Sequence, residues 1–584
     1  MNRNFPVYTL ENSCQDCYKC VRRCPTKSIK VIDGSASVIP SLCVSCGKCV
    51  EVCPAGAKKI RNDISIAKYL LKNKTKIIAS VAPSWINSFT CSEQQFIIGL
   101  KKLGFDEVSE TAIGAQIVSS ATHRILHESK ENDIFISSAC PSAVSYIKKF
   151  NSEYGSKIMD IGSPLQIHAR FLHKQYQDED IAVVFFGPCI AKKNEADRDS
   201  DLIGAALTFE NLQDWLAEEK IDLNQNLDDI SNQQFYPFKA EEGCLYPLEG
   251  GMIETIKGVN DIDDDIIYLQ LSGLYNIENF LKEKVMNLDK KVFIECLACE
   301  SGCINGPAVG NKQKNLNDLI NIASYRNEYR KLSIDRNVEI PVAEHQNVPF
   351  EYELTPSAEL IRKKLALIGK TSLEDELNCS GCGYQTCQDF AKALIHNKAE
   401  VEMCVSYMRQ LAQKQANALI RYIPAGVVIV DKLLNIIECN RHYAKLFDES
   451  NLLAFEAVPG LRGIPLKKTL PLAFAKLFAT VLESGGELIR DNFVCDNEIY
   501  EIKVFTIEEN FVIGAIIQNI TNQELQREQI AEKARAVISK NIQTVQRVAN
   551  CLGEHMAETE ILLREVASGY QKEDSVKDIK IYDK

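Results

Sequence analysis

The sequence predicts a multidomain chain of mixed α/β and α+β architecture, and three observations predict it. At 584 residues the chain is too long for one core, because single cores stop growing beyond about 250–300 residues. Between 63 and about 336, apolar strand-like runs alternate with amphipathic helix-like stretches, the pattern of an α/β domain. Beyond Ile420 several strand-like runs follow one another and lead into a proline-free helical tail. Hydrophobic content of 45% and charged content of 25% exclude a collagen-like, mucin-like or wholly disordered protein. The longest apolar stretches, Ile181–Phe186 and Ala425–Val430, fall far short of the roughly 20 residues that span a bilayer. Met1–Leu10 lacks an apolar core followed by a small-residue cleavage site, so no membrane association and a cytoplasmic location are expected. A net charge of −12 opposes phosphate binding and argues against a nucleic-acid partner. The outlier is cysteine, 22 in all. Without a secretory signal, that number points to metal or redox chemistry rather than to disulfides.

The first domain, 1–62, carries Cys14, Cys17, Cys20 and Cys24 followed by Pro25, and then Cys43, Cys46, Cys49 and Cys53 followed by Pro54. Each run reads C-x2-C-x2-C-x3-C-P, the spacing of bacterial two-cluster ferredoxins, in which the fourth cysteine of each run crosses to the other cubane. One 4Fe-4S cluster is therefore assigned to Cys14, Cys17, Cys20 and Cys53, and the second to Cys43, Cys46, Cys49 and Cys24. A pair of zinc knuckles would need neither the duplication nor the terminal prolines. Full thiolate ligation leaves no open iron, so electron transfer is the expected role. Lys19, Arg22, Arg23, Lys27, Lys48, Lys58 and Lys59 supply charge for an acidic redox partner, although a solvated basic surface reads equally well.

In the second domain, 63–340, the runs Lys76–Val81, Ile134–Ser138, Ile181–Phe186 and Lys291–Glu295 are expected strands. Cys140, Cys189, Cys299 and Cys303 lie just beyond three of them. Open α/β sheets build their sites at strand ends, so a third cubane follows from ligand count. Three segments, Ser137-Ser-Ala-Cys-Pro141, Gly187-Pro-Cys-Ile-Ala-Lys-Lys-Asn-Glu195 and Ala298-Cys-Glu-Ser-Gly-Cys303, resemble the signatures TSCCP, MPCxxKxxE and C-x3-C of iron-only (FeFe) hydrogenases. The resemblance implies an H-cluster: a cubane on Cys140, Cys189, Cys299 and Cys303, with Cys303 also bridging to a diiron subsite that carries carbon monoxide, cyanide and an azadithiolate. It further implies that Lys192 donates to one cyanide and that Ala82, Pro83 and Ser84 line the other. Ser138 and Glu195 join Cys303 and Lys192 as expected catalytic residues. Gly250 and Gly251, before Met252, resemble a family glycine pair beside the site, with a plain tight turn as the alternative.

The departures from that pattern carry equal weight. Ala139 stands where the family has the first of two adjacent cysteines, the one that relays protons, and a methyl group neither accepts nor donates a proton. Slow hydrogen turnover is the expectation. Leu297 and Gly187 replace family methionines near the diiron unit, which should shift potential and ligand geometry.

After an acid-rich linker, Pro341–Ser357, the third domain, 358–410, holds Cys379, Cys382, Cys387 and Cys404. The first three are expected on a glycine-bearing loop and the last on a helix. The set resembles the small 4Fe-4S domain appended to redox proteins, with zinc as the alternative. Cys91, Cys244, Cys296, Cys439, Cys495 and Cys551 remain as core or surface thiols. The fourth domain, 411–522, is similar to a PAS domain: Tyr422–Asp431 and Leu434–Phe447 read as strand, turn, strand and short helix with Asn440 after the second strand, and Phe493–Cys495, Tyr500–Thr506 and Val512–Gln518 supply later strands. His442 reads as structural rather than as a haem ligand. The tail, 523–584, reads as a signalling helix. Ile538, Ile542, Val545, Ala549, Leu552, Met556, Thr559, Leu563 and Val566 recur at alternating four and three, the seam of a coiled coil and hence of a homodimer. An antiparallel hairpin packed on its own chain is the alternative. His555, between Glu554 and Glu558, resembles the phospho-acceptor of histidine kinases, but no ATP-binding domain follows it before Lys584.

The domain order resembles the sensory hydrogenases of anaerobic bacteria. That resemblance implies a hydrogen sensor acting on H2 and protons, exchanging electrons with a redox partner such as ferredoxin, and signalling through a separate kinase or phosphatase. A metabolic ferredoxin-linked hydrogenase and an iron–sulfur electron-transfer or assembly protein without the diiron subsite are the alternatives.

Overall fold

The computed structural model describes residues 5–552 apart from 130–131, 178–179, 225–232, 258–264, 284–288, 310–319, 323, 325–340 and 344–355. It divides into two compact units, Met1–Met408 and Arg409–Lys584. In the first unit, β1 (Val7–Thr9), β2 (Ile29–Ile32), β3 (Ser35–Val38) and β4 (Lys58–Ile60) form two antiparallel ribbons, β1 with β4 and β2 with β3. These frame the two cysteine runs.

The central region is built on parallel strands. β5 (Lys76–Val81), β6 (Glu107–Glu110), β8 (Ile181–Gly187) and β9 (Ala205–Thr208) make one sheet in the order β6-β5-β8-β9. A second sheet pairs β10 (Ile266–Ser272), β11 (Lys291–Leu297) and β7 (Ile134–Ile136) in the order β10-β11-β7. Every residue of β8 is buried, as a parallel strand covered on both faces requires, and its unbroken apolar run is why the sequence reveals it so readily. Between strands the helices begin at Ser92, Ser163 and Thr208, each closing a reciprocal capping box three residues on. The expected linker is partly fastened to this region. Gly162 N donates to Val342 O at 2.8 Å, and Arg170 Nη1 donates to Pro341 O and Ala343 O at 2.9 and 3.1 Å.

The third cysteine set follows the helix Ala358–Leu367. Cys387 opens the helix Cys387–Ile395 rather than lying on the loop, and Cys404 sits between a 3-10 turn, Val401–Met403, and the helix Val405–Tyr422 rather than on a helix. Helix starts suit thiolate ligands better than helix interiors, because free backbone N–H groups point at the sulfur.

The second unit contains one five-stranded antiparallel sheet. β12 (Gly426–Asp431), β13 (Ile436–Cys439), β14 (Glu487–Cys495), β15 (Glu498–Glu508) and β16 (Val512–Asn519) take the order β13-β12-β16-β15-β14. β14 turns into β15 through Asp496 and Asn497, both at positive φ, 48° and 64°, the two-residue hairpin geometry that Asn and Asp tolerate best. One face of the sheet is closed by Tyr443, Phe474, Phe478 and Tyr500, with Phe474 edge-on to Phe447, Phe493 and Tyr500. Asn440, 1% exposed, locks the sheet to its first helix. Its Oδ1 accepts from Val427 N and Tyr443 N, both at 2.9 Å, and its Nδ2 donates to Ile420 O at 2.9 Å and Ala425 O at 2.8 Å. Asn440→Ala is expected to cost about 3 kcal/mol by losing a cap and stranding buried backbone groups, a drop that thermal unfolding of this unit would register.

The last described element is the helix Thr521–Leu552. The heptad positions from Met556 onward and His555 lie outside the described residues. Among the described residues no helix is long and apolar enough to cross a membrane.

Candidate active site

The carboxyl ends of β7, β8 and β11 deliver the central cysteines, and that of β5 delivers Ala82, Pro83 and Ser84. Cys140 caps the helix Pro141–Phe150, Cys189 follows β8 ahead of the helix Ala191–Arg198, and Cys299 follows β11, with Cys303 opening a 3-10 turn. None of these cysteines is in a disulfide. The four thiols converge. Burial raises Cys189 to about 11, and the Cys140 thiol adds to it. Cys299 is pushed up by burial and then by Cys303, Cys189, Cys140 and Cys46, and Cys303 by burial and then by Cys140 and Cys189. Buried thiols gathered in this way suit a cationic partner, since coordination offsets the cost of burying a thiolate. Ala298 N already donates to Cys140 Sγ at 3.4 Å. Among the described residues no three of His, Cys, Asp and Glu close tightly enough for a single metal ion. A cubane asks for less, because its ligands bind separate corners of a cluster.

Around this set the polar groups are few and buried. Ser84 Oγ and Ser138 Oγ, on residues 1% and 4% exposed, have no hydrogen-bond partner among the described residues. Ser84 lies in the 3-10 turn Pro83–Asn87 after Ala82, whose N donates to Phe186 O at 2.8 Å. Lys192 Nζ donates to Glu195 Oε2 at 2.7 Å and to Ser163 Oγ at 2.8 Å, and Ser163 Oγ donates to the same Oε2 at 3.0 Å. Ser163 was not marked by the sequence: its capping box with Gln166 announces a helix start, not a contact with a lysine 29 residues on. Two buried hydroxyls without partners and a lysine on a buried triangle fit anionic ligands that need donors.

Glu295 is the second residue the sequence left unmarked. It accepts from Met252 N and Ile253 N at 3.4 and 3.2 Å, and burial raises its pKa to about 7. The glycine pair beside it is required by close packing. A Cβ on Gly250, at φ +80°, would stand 2.3 Å from Gln270 Oε1, and one on Gly251 would stand 1.8 Å from Leu245 O.

The departures have structural counterparts. Ala139 is half-buried against the main core. At Gly187 a Cβ would meet Phe185 Cζ at 2.4 Å and Ala82 Cβ at 2.9 Å, so the Phe185 ring occupies the space a methionine would take. Gly187→Met is expected to destabilise the protein by about 1–3 kcal/mol through overpacking, visible as a lowered denaturation midpoint.

Among the N-terminal thiols, neighbours act on one another across the two runs. Cys20 is pushed up by burial, with Cys53 and Cys14 adding. Cys46 is raised to about 12 by burial and by Cys24, and Cys24, Cys43 and Cys46 all act on Cys49. The run from Cys43 to Cys49 abuts the central region: Lys149 Nζ donates to Cys43 O at 3.0 Å, Asn194 Nδ2 to Ser45 Oγ at 2.8 Å, and a Cβ on Gly47 would lie 2.3 Å from Pro307 Cβ. Lys58 is a correction to the expected basic surface. It is 3% exposed, with its Nζ spent on Thr9 Oγ1 at 2.6 Å and Ala36 O at 2.7 Å. An acidic partner cannot reach it.

Residues 75–307 match the family model of the iron only hydrogenase large subunit, C-terminal domain. The chain carries an FeFe-hydrogenase-like domain. Residues 6–67 match a 4Fe-4S dicluster domain and residues 375–406 an Fe-S cluster domain. Iron hydrogenase 1 of Clostridium pasteurianum is 24% identical over 252 residues, 35% of this chain and 44% of that protein. The match thus spans less than half the length of that curated relative. Among solved structures, a variant of the FeFe-hydrogenase HydA1 from Chlamydomonas reinhardtii aligns at 18% identity and TM-score 0.35, covering 46% of this chain and 88% of that one. A structure describing oxygen inactivation of an FeFe-hydrogenase aligns at 15% identity and TM-score 0.36, covering 47% and 92%.

Proposed function

We propose that this chain is a hydrogen-sensing member of the iron-only hydrogenases, which binds or slowly turns over H2 and passes the resulting redox state through 4Fe-4S clusters toward a PAS-like unit and its terminal helix. The observation that carries this reading is Ala139: a hydrogenase-like site with its thiols, lysine and buried serines in place lacks the side chain that would move protons quickly. When bound, a diiron subsite would supply the metal centre at which H2 is split or formed. Cys140, Cys189, Cys299 and Cys303 would hold the cubane, with Cys303 shared. Lys192, Ser84 and Ser138 would donate to the anionic diatomic ligands, and Ala82, Pro83 and the glycine pair would shape the wall. Glu195 holds Lys192 in place through the 2.7 Å hydrogen bond to its Oε2. Burial of these donors excludes water, which strengthens each hydrogen bond.

The strand order and the Asn440 lock support the PAS reading of the second unit, and the proline-free terminal helix supports a homodimer. Output would then run through a separate kinase or phosphatase, with a ferredoxin-like carrier exchanging electrons at the N-terminal clusters. A transmitter of this kind needs two states of different affinity for its target. Infrared spectra of anaerobically matured protein under argon and then under hydrogen test the reading. Carbon monoxide and cyanide stretches that shift with hydrogen are expected. Their absence after competent maturation would reduce the site to a bare cubane and the protein to an electron carrier or assembly factor.

A further inference from the structure

The cluster sets are not arranged in a simple line. The Cys43–Cys49 run abuts the central region, and Cys46 and Cys299 line the same cleft. Cys24, the crossing member assigned to that same set, also lies in this cleft together with Tyr384. Tyr384 in turn lines a small cavity with Cys379, Cys382, Cys387 and Cys404. The two cysteine domains share one core in which Cys20, Val21 and Cys24 pack with Cys382, Tyr384, Phe390 and Cys404. Their contact is close: a Cβ on Gly383, at φ +91°, would stand 2.9 Å from Val21 Cγ1 and 3.2 Å from Val21 O. Tyr18 Oη donates to Glu402 O at 3.2 Å, and Lys30 pairs with Glu400 at 3.4 Å.

Tyr384 stands out within this contact. It is 8% exposed, and its Oη is buried with no hydrogen-bond partner among the described residues. Its electrostatic neighbours are the thiols Cys382 and Cys24, one from each set. A buried phenol is costly to leave unpaired, and the cavity it lines carries Cys379, Cys382, Cys387 and Cys404.

We propose that the cluster of Cys24, Cys43, Cys46 and Cys49 is a branch point that exchanges electrons with the catalytic cubane on one side and with the cluster of Cys379, Cys382, Cys387 and Cys404 on another, and that Tyr384 poises this branch by donating its O–H to cluster sulfur. The inference rests on the iron–sulfur reading of these sites given above. In the step, one electron leaves the reduced branch cluster and enters the oxidised Cys382-bearing cluster. No bond is made or broken, and Tyr384 keeps its proton. A donor to sulfur favours the more negative, reduced state and raises the potential.

The test is an EPR-monitored redox titration of the full chain with all clusters reconstituted, unaltered and as Tyr384→Phe, which removes only the hydroxyl. The expected result is a fall of about tenfold in the reduction equilibrium of the Cys24- or Cys382-bearing cluster, about 59 mV for one electron, while the cluster of Cys14, Cys17, Cys20 and Cys53 stays unchanged. Unmoved potentials, or an equal shift in all clusters, would overturn the role of Tyr384. A second readout needs no substitution. With both clusters reduced, spin relaxation of the Cys382-bearing cluster should quicken through its paramagnetic neighbour, and unaltered relaxation would overturn the branch. Failure of the unaltered chain to take up iron at Cys379–Cys404 would instead overturn the iron–sulfur reading itself, which iron and sulfide content separates from the other outcomes.

Discussion

Ala139→Cys is expected to raise hydrogen turnover by about two orders of magnitude, because a positioned acid–base group contributes about 10²–10⁴ to a proton-transfer step. Ala139 is half-buried at the edge of the main core, next to Cys140 at a helix start, so the substitution adds one sulfur atom at a position that is not fully enclosed. The measurement is hydrogen evolution with a reduced viologen on matured protein, with infrared band intensity used to correct for loading. A rate unchanged at equal loading would move the bottleneck to the neighbourhood of Leu297 and Gly187, where leucine and the Phe185 ring stand in for methionine side chains.

Lys192→Met is expected to cost about 3–5 kcal/mol of stability, the magnitude seen when one member of a buried ion pair is removed. The side chains of Lys192 and Glu195 are 10% and 2% exposed, and among the described residues Ser163 Oγ would still donate to Glu195 Oε2. Glu195→Gln in the Lys192→Met background should recover most of the loss, because the stranded charge is gone. Denaturant unfolding of the cluster-free protein reads this out separately from activity. If the double variant is no more stable than the single, Lys192 acts through packing and not through its charge.

The site was legible in the sequence where chemistry demands fixed spacing. The duplicated cysteine runs announce a 4Fe-4S dicluster domain because each run keeps the ligand spacing that a cubane requires. β8 was legible because a strand buried on both faces must be apolar throughout, and Asn440 because its four hydrogen bonds need one amide at one place. What escaped depends on distance in the chain. Ser163 reaches Lys192 only after its own helix, β8 and the helix Ala191–Arg198 have folded, and Glu295 acquires its backbone donors from the start of the helix Gly251–Lys257, 42–43 residues earlier. Tyr384 looks like an ordinary aromatic in a cysteine loop until its hydroxyl is found buried beside a second cysteine set. Lys58 erred in the opposite direction: charge in the sequence suggested surface, but the antiparallel ribbons fold over it and use its ammonium as an internal strut.

The packing of Gly383 on Val21 also has a history in time. The N-terminal cysteine runs leave the ribosome long before the segment that covers them. At about 5–20 residues per second, the chain from Val21 to Gly383 takes roughly 20–70 s to make. Over that interval the face bearing Cys20 and Cys24 stays open to whatever machinery loads iron and sulfide. Docking of the later domain then closes the loading window, so the order of synthesis itself favours filling the early clusters before they are sealed.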